Sequence, residues 1–181
     1  MLKKLELKKS EYIILKKYCR KKKIDFITTA FDNESLEFIS KKLKVKKLKI
    51  ASGEITNGPL IFAHALKKLN IIISTGMSSM KEIKQALSII AYGFIKKNKK
   101  FKPSIKSFNN AFKSKLGRKL LKEKVTILHC STEYPLPLTD VNLNAMKSIK
   151  KQFGINVGYS DHSEGILVPL VAASMGAKII E

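Results

Sequence analysis

The sequence predicts an α/β protein of the (β/α)8 TIM-barrel kind, with about six of the eight βα units present. Three observations predict it. Short apolar runs of strand length alternate with amphipathic stretches of helix length. These runs recur at about 23-residue intervals, apart from one long gap. Every apolar run ends in a small polar or charged cluster, as strands do whose C-terminal ends share one functional face.

The elements follow in order. Residues 9–22 read as a helix, with Ile13, Ile14, Leu15 and Tyr18 among lysines and Ser10 as its cap. Strand-length runs are expected at 24–29, 47–51, 71–74, 125–130, 156–159 and 177–180. Helices are expected between them at 33–42, 60–69, 79–91, 142–153 and 165–175. Residues 93–124 fill the long gap. Phe101, Pro103, Phe108 and Phe112 lie in this basic stretch, which reads as an insertion within a βα unit: a surface loop with a helix.

At 181 residues the chain has room for one ordinary core. No apolar stretch is long enough for a transmembrane helix, and the charged N-terminus lacks an apolar signal core, so a cytoplasmic protein is expected. Cys19 and Cys130 do not make a disulfide framework. The net charge of +22 comes from lysines scattered over the whole length, with Arg20 and Arg118 the only arginines. That pattern fits solvated helix faces. It argues against specific nucleic-acid recognition, which favours arginine for bidentate and stacking contacts.

The polar clusters carry the functional reading. They are Thr28-Thr29, Lys49 through Glu54, Ser74-Thr75-Gly76, His129 through Tyr134, Ser160-Asp161-His162 and finally Glu181. A doubly wound sheet would concentrate its site at one crevice, whereas clusters on every strand favour a barrel. A barrel with six staves has open edges, so the sequence reads as part of a larger fold.

Five stretches carry a resemblance: TTAFDNESLEF, KLKIASGEITNGPL, IIISTGMSSMKEI, VTILHCSTEYPLPLTDVNLNAM and VGYSDHSEGILVPLVAASMGAKIIE. Together, and in this order, they resemble the N-acetylneuraminate (sialic acid) synthase family, which includes legionaminic and pseudaminic acid synthases. The resemblance implies a TIM barrel followed by a C-terminal antifreeze-like domain, and that domain is not in this sequence. It also implies a homodimer and condensation of phosphoenolpyruvate with an N-acetylated amino sugar. Water enters, phosphate leaves and a nine-carbon 2-keto acid forms. A divalent metal, usually manganese, holds the sugar aldehyde.

By this resemblance Lys49 and Ser52 hold the phosphate and carboxylate of phosphoenolpyruvate, with Thr29, Ser74 and Ser160 around the same anion. An ammonium and hydroxyls suit phosphate oxygens, although serines and threonines at strand ends also form turns and caps. The Thr75-Gly76 turn is expected to leave backbone N–H groups free for phosphate. Glu54 is the expected acid/base residue, since a carboxylate beside a bound anion suits proton transfer; otherwise it is a cap or an ion-pair partner. Thr132 and Tyr134 match the acceptor region, and Glu133 is given a side role. His162 is the expected metal ligand, and its second histidine partner would fall two residues beyond Glu181. Asp161 either orients His162 or is structural. His129 reads as a barrel-interior residue with a hydrogen-bond role, and His64 as a surface residue.

Two other readings stand beside the enzyme. One is a truncated, non-catalytic remnant of such a synthase. The other is a basic polyanion-binding protein, which would bind nucleic acid in a salt-dependent way.

Overall fold

β-branched runs such as Asn70–Ser74 (NIIIS) favour the pleated, buried environment of a parallel sheet. The computed structural model describes residues 5–96 and 102–181. In it β1 (Lys47–Ile50), β2 (Asn70–Ser74), β3 (Val125–Cys130) and β4 (Asn156–Ser160) lie side by side, parallel and in sequence order. The protein is an α/β fold on a parallel sheet, as expected.

The two outer segments are less regular than the alternation suggests. Of the predicted strand 24–29, only Thr29 bridges to Lys49. Ile24 and Ile27 are exposed, so this edge lacks the packing that would hold a ladder. On the other side Ile180 bridges to Tyr159. There Lys178, Tyr159, Glu181 and Asp161 donate backbone N–H groups in turn to Val157, Ile179, Tyr159 and Glu181, at 2.8–3.0 Å. Residues 178–181 therefore run as a fifth parallel rung beside β4.

The sheet is strongly curled. Four strand spacings separate β1 from the 178–181 segment, about 19 Å if the sheet were flat. Yet Lys49 Nζ lies 3.2 Å from Glu181 Oε1. Fully extended, the two side chains together reach only about 11 Å at ordinary bond lengths. The sheet must bend toward the face that carries both residues.

Eight helices are described: α1 (Lys9–Lys21), α2 (Asn33–Glu37), α3 (Gly58–Leu66), α4 (Met80–Ile95), α5 (Ile105–Lys113), α6 (Lys115–Lys124), α7 (Asn144–Phe153) and α8 (Leu167–Ser174). Their starts follow local chemistry. Asp32 accepts from Ser35 N–H, and Asn57 from Leu60 N–H. Ser79 and Glu82 cap α4 reciprocally. The predicted Ser10 cap is not used: Ser10 lies within α1, and the Glu11 carboxylate accepts the Lys8 N–H instead. The predicted helix 33–42 changes character at Phe38, where it widens into a π turn over Phe38–Lys42 closed by Leu43 N–H to Phe38 C=O.

Within the predicted insertion, residues 105–124 form a packed helical pair, more helix than the surface loop with one helix that is expected. Helix α4 extends to Ile95, and Tyr92 meets Phe108 of α5 edge-on, with ring centroids 5.1 Å apart. Ala111 and Leu121 are buried with them. Gly117 lets α6 approach α5, since a Cβ there would fall 2.0 Å from Ala111 O. Residues 97–101 of the predicted insertion, including Phe101, lie outside the described residues.

The main core fills the space between helices and sheet. Leu48, Ile50, Ile71, Ile73, Val125, Ile127, Val157 and Tyr159 supply the sheet side of it. No described helix is long and apolar enough to cross a membrane.

Candidate active site

Side chains alternate across a strand, and partnered residues of a parallel ladder share a face. The helix-facing set just named leaves the opposite, concave face to Lys49, Ser74, Cys130 and Ser160. Thr29 shares this face through its bridge to Lys49, and Glu181 through the bridge of its neighbour Ile180. Lys49, Ser74, Cys130 and Ser160 lie at or next to the C-terminal ends of β1 to β4, and Thr29 and Glu181 on the two flanking bridged segments.

These residues contact one another. Lys49 Nζ donates to Ser74 Oγ at 2.7 Å and pairs with Glu181 at 3.2 Å. Ser160 Oγ donates to the other Glu181 oxygen at 2.7 Å and lies 3.4 Å from His162 Nε2. Lys49 is 8% exposed, Ser74 3% and Ser160 4%. A buried ammonium must be paired or solvated, so one lysine of a lysine-rich chain is set apart by its place.

A second cluster adjoins the first. Ser52 Oγ accepts the Gly76 N–H at 2.9 Å and lies 3.2 Å from Cys130 Sγ. Gly76 fills the point where three strand ends converge. A Cβ there would fall 2.8 Å from Thr132 Cγ2, 3.0 Å from Ser52 Oγ and 3.2 Å from Cys130 Sγ. The turn continues through Met77, which takes φ 57° and is exposed, and closes with Ser78 N–H on Thr75 C=O. The expected tight turn is present. Its Thr75 and Gly76 N–H groups are not free, however, because Leu128 C=O and Ser52 Oγ engage them.

The loops after β3 and β4 are joined. Leu136 N–H donates to His162 C=O at 2.8 Å, and Tyr134 stacks on His162 with centroids 3.9 Å apart. His162 Nδ1 is buried without a hydrogen-bond partner, the kind of nitrogen a metal would satisfy. The other ring nitrogen, Nε2, faces Ser160, whose Oγ is bonded to the Glu181 carboxylate. Among the described residues no group of three His, Cys, Asp or Glu side chains forms a full site. The residues present thus offer a metal one open imidazole nitrogen, short of a full coordination shell.

The other predicted residues fall as follows. Glu54 ends the 3-10 turn after β1, and its carboxylate accepts from Asn57 Nδ2 at 2.7 Å; it is not brought to Lys49. Thr132 and Tyr134 lie on the exposed rim, with Glu133 beside them. Asp161 Oδ1 accepts from Ser163 N–H and Oγ, a structural turn. Thr29 makes no side-chain hydrogen bond among the described residues.

Two histidines are placed differently from the expectation. His64 is fully buried in α3, because Leu60, Ile61, His64 and Ala65 form the helix's inward stripe. Its Nδ1 bonds Leu60 C=O at 2.9 Å, and burial lowers its pKa. His129 does make a hydrogen bond, to Val141 C=O at 3.1 Å, but it shares the helix-facing side of β3 with Val125 and Ile127. Burial lowers its pKa too. Beside it Tyr159, pushed up to about 12 mainly by burial, is a neutral packing group.

Glu181 is the site residue the sequence reading did not assign. It was visible only as the last of the strand-end polar residues. Its partners come from β1 and β4, which no local motif links.

Known proteins resemble the chain over its whole length. The NeuB family matches residues 1–181, the whole chain. The N,N'-diacetyllegionaminic acid synthase of Legionella pneumophila is 40% identical over 181 residues, 100% of this chain and 44% of that protein. The Campylobacter jejuni enzyme of the same name is 39% identical over 181 residues, covering 100% of this chain and 46% of its own length. A crystal structure of N-acetylneuraminic acid synthetase from Leptospira borgpetersenii, in complex with citrate, superposes with a TM-score of 0.76. It is 36% identical and covers 97% of this chain and 52% of that one. The chain thus spans about half the length of the relatives it matches. Matched by the family over its whole length, the chain belongs to the NeuB family.

Proposed function

We propose that this chain forms the phosphoenolpyruvate-binding part of a sialic-acid-type synthase. The overall reaction would join the methylene carbon of phosphoenolpyruvate to the aldehyde carbon of an N-acetylated amino sugar. Water then adds at the phosphate-bearing carbon, that carbon–oxygen bond breaks, and phosphate leaves a nine-carbon 2-keto acid. The observation that carries the reading is Lys49: a buried ammonium on a concave face, bonded to Ser74 and Glu181, with Ser52 and Ser160 hydroxyls on the same face.

Within this reading Lys49 binds the phosphate as a cation, and Ser74, Ser52, Ser160 and Thr29 orient its oxygens. A phosphate arriving on Lys49 competes with Glu181 and frees that carboxylate to handle a proton. Glu54 is the second acid/base candidate; to act it must leave Asn57. Thr132 and Tyr134 form the acceptor rim. A divalent metal on His162 would supply Lewis-acid polarisation of the sugar aldehyde when bound. The names of the two relatives near 40% identity favour a 2,4-diacetamido sugar over N-acetylmannosamine as acceptor. The curl of the sheet supports reading it as an arc of an eight-stranded barrel.

The test is isothermal titration of phosphoenolpyruvate into the chain and into its Lys49→Ala variant, followed by a phosphate-release assay with manganese and each sugar. Binding lost in the variant, with release on adding a 2,4-diacetamido sugar, is the expected result. Binding without release favours the non-catalytic remnant. No difference between wild type and variant overturns the proposal.

A further inference from the structure

We propose that Cys130 is a positioning residue whose thiol donates to the Ser52 hydroxyl and so holds that hydroxyl's own proton turned toward the bound anion. The inference rests on the anion-binding reading above and adds a residue to it.

The argument is an accounting of hydrogens around one oxygen. A serine hydroxyl has one proton and two lone pairs. The Gly76 N–H occupies one lone pair of Ser52 Oγ, at 2.9 Å. Cys130 Sγ stands 3.2 Å from the same oxygen, close enough for a hydrogen bond in either direction. If sulfur accepts, the serine proton is spent on a weak acceptor and none remains for a phosphate. If the thiol donates, it fills the second lone pair, and the serine proton has no protein partner left. Only the second arrangement gives an anion a donor. Cys130 is buried and lies on the concave face of β3, while Ser52 follows β1, so the contact joins strands two apart. Gly76 makes room for it, because a Cβ there would press on both Ser52 Oγ and Cys130 Sγ.

The test uses this chain and four variants: Cys130→Ala, Cys130→Ser, Ser52→Ala and the double variant Cys130→Ala with Ser52→Ala. Two quantities are read, the dissociation constant for phosphoenolpyruvate and the hydrogen-exchange rate of the Gly76 amide in ligand-free protein. Cys130→Ala removes the donor that fixes the Ser52 hydroxyl, so it is expected to weaken binding about fivefold and to speed Gly76 exchange about threefold or more. Cys130→Ser, which keeps a donor, is expected to restore most of both. In the Ser52→Ala background, Cys130→Ala is expected to change binding less than about twofold, because its effect runs through Ser52. An equal loss in both backgrounds overturns the proposal, as does a Gly76 rate unmoved by Cys130→Ala. If wild type binds no phosphoenolpyruvate while Gly76 exchange still responds as expected, the proposed function falls and the hydrogen-bond arrangement stands.

Discussion

Tyr134 lies over the imidazole of His162, ring centroids 3.9 Å apart and planes 28° from parallel, although one residue follows β3 and the other β4. The stack holds the ring at an angle that keeps Nε2 near Ser160. Aromatic pairs are worth about 0.5–1.5 kcal/mol. Tyr134→Ala is therefore expected to weaken manganese binding roughly two- to tenfold, with Tyr134→Phe close to wild type. Titration with manganese alone, followed by His162 ring resonances, checks this.

Lys49 is the centre of charge at the site. Hydrogen bonds to charged groups contribute about 1.5–3 kcal/mol. Lys49→Ala is expected to weaken phosphoenolpyruvate binding by about ten- to a hundredfold. Lys49→Arg is not expected to rescue it, because the guanidinium is a planar fork where a compact ammonium now meets Ser74 and Glu181. Calorimetry of the two variants decides.

Gly76 cannot carry a side chain without pressing on Thr132 Cγ2 at 2.8 Å. Gly76→Ala is expected to cost about 1–3 kcal/mol of stability and to weaken anion binding. Adding Thr132→Ser, which removes that methyl group, is expected to recover part of the melting temperature. No recovery would place the strain elsewhere.

His64 ties stability to pH. Burial lowers its folded-state pKa below the unfolded value, so the unfolded chain binds the extra proton first. The contribution is fully present above about pH 6.5 and is lost as pH falls from there toward the lowered folded value. His129 adds a change of the same sign. Melting temperatures should fall between pH 8 and pH 5. His64→Leu is expected to flatten part of that slope and leave the part due to His129.

Legibility in the sequence followed period and locality. β3 matches its predicted span, Val125–Cys130, because a six-residue apolar run with clear ends has one reading. Lys49, Ser52, Ser74, Ser160 and His162 were marked as strand-end polar residues, and the fold gathers them. The histidines show the limit. His64 lies in an apolar helix whose weak amphipathicity hides which side faces inward. The face of His129 depends on the phase of β3, and one residue of phase reverses it. The helical pair at 105–124 is hard to see in sequence because burial of Tyr92 against Phe108 is a tertiary fact, and a lysine-rich segment conceals it. Glu181 escaped assignment because its meaning lies in sheet curvature, which joins strands far apart in sequence.

The Lys49–Glu181 pair has a consequence for selectivity. Lys49 is not a bare positive charge, since the Glu181 carboxylate already pairs with it. On the proposed function, ligand entry would be an ion exchange, with an internal competitor at the high effective concentration of a group fixed within the same fold. Inorganic phosphate or sulfate brings one anionic group to that exchange. A ligand carrying a phosphate and a carboxylate on adjacent atoms brings two, and it can occupy the ammonium and the flanking hydroxyls together. On the proposed function, the resident carboxylate would thereby discriminate against the free phosphate of the surrounding solution.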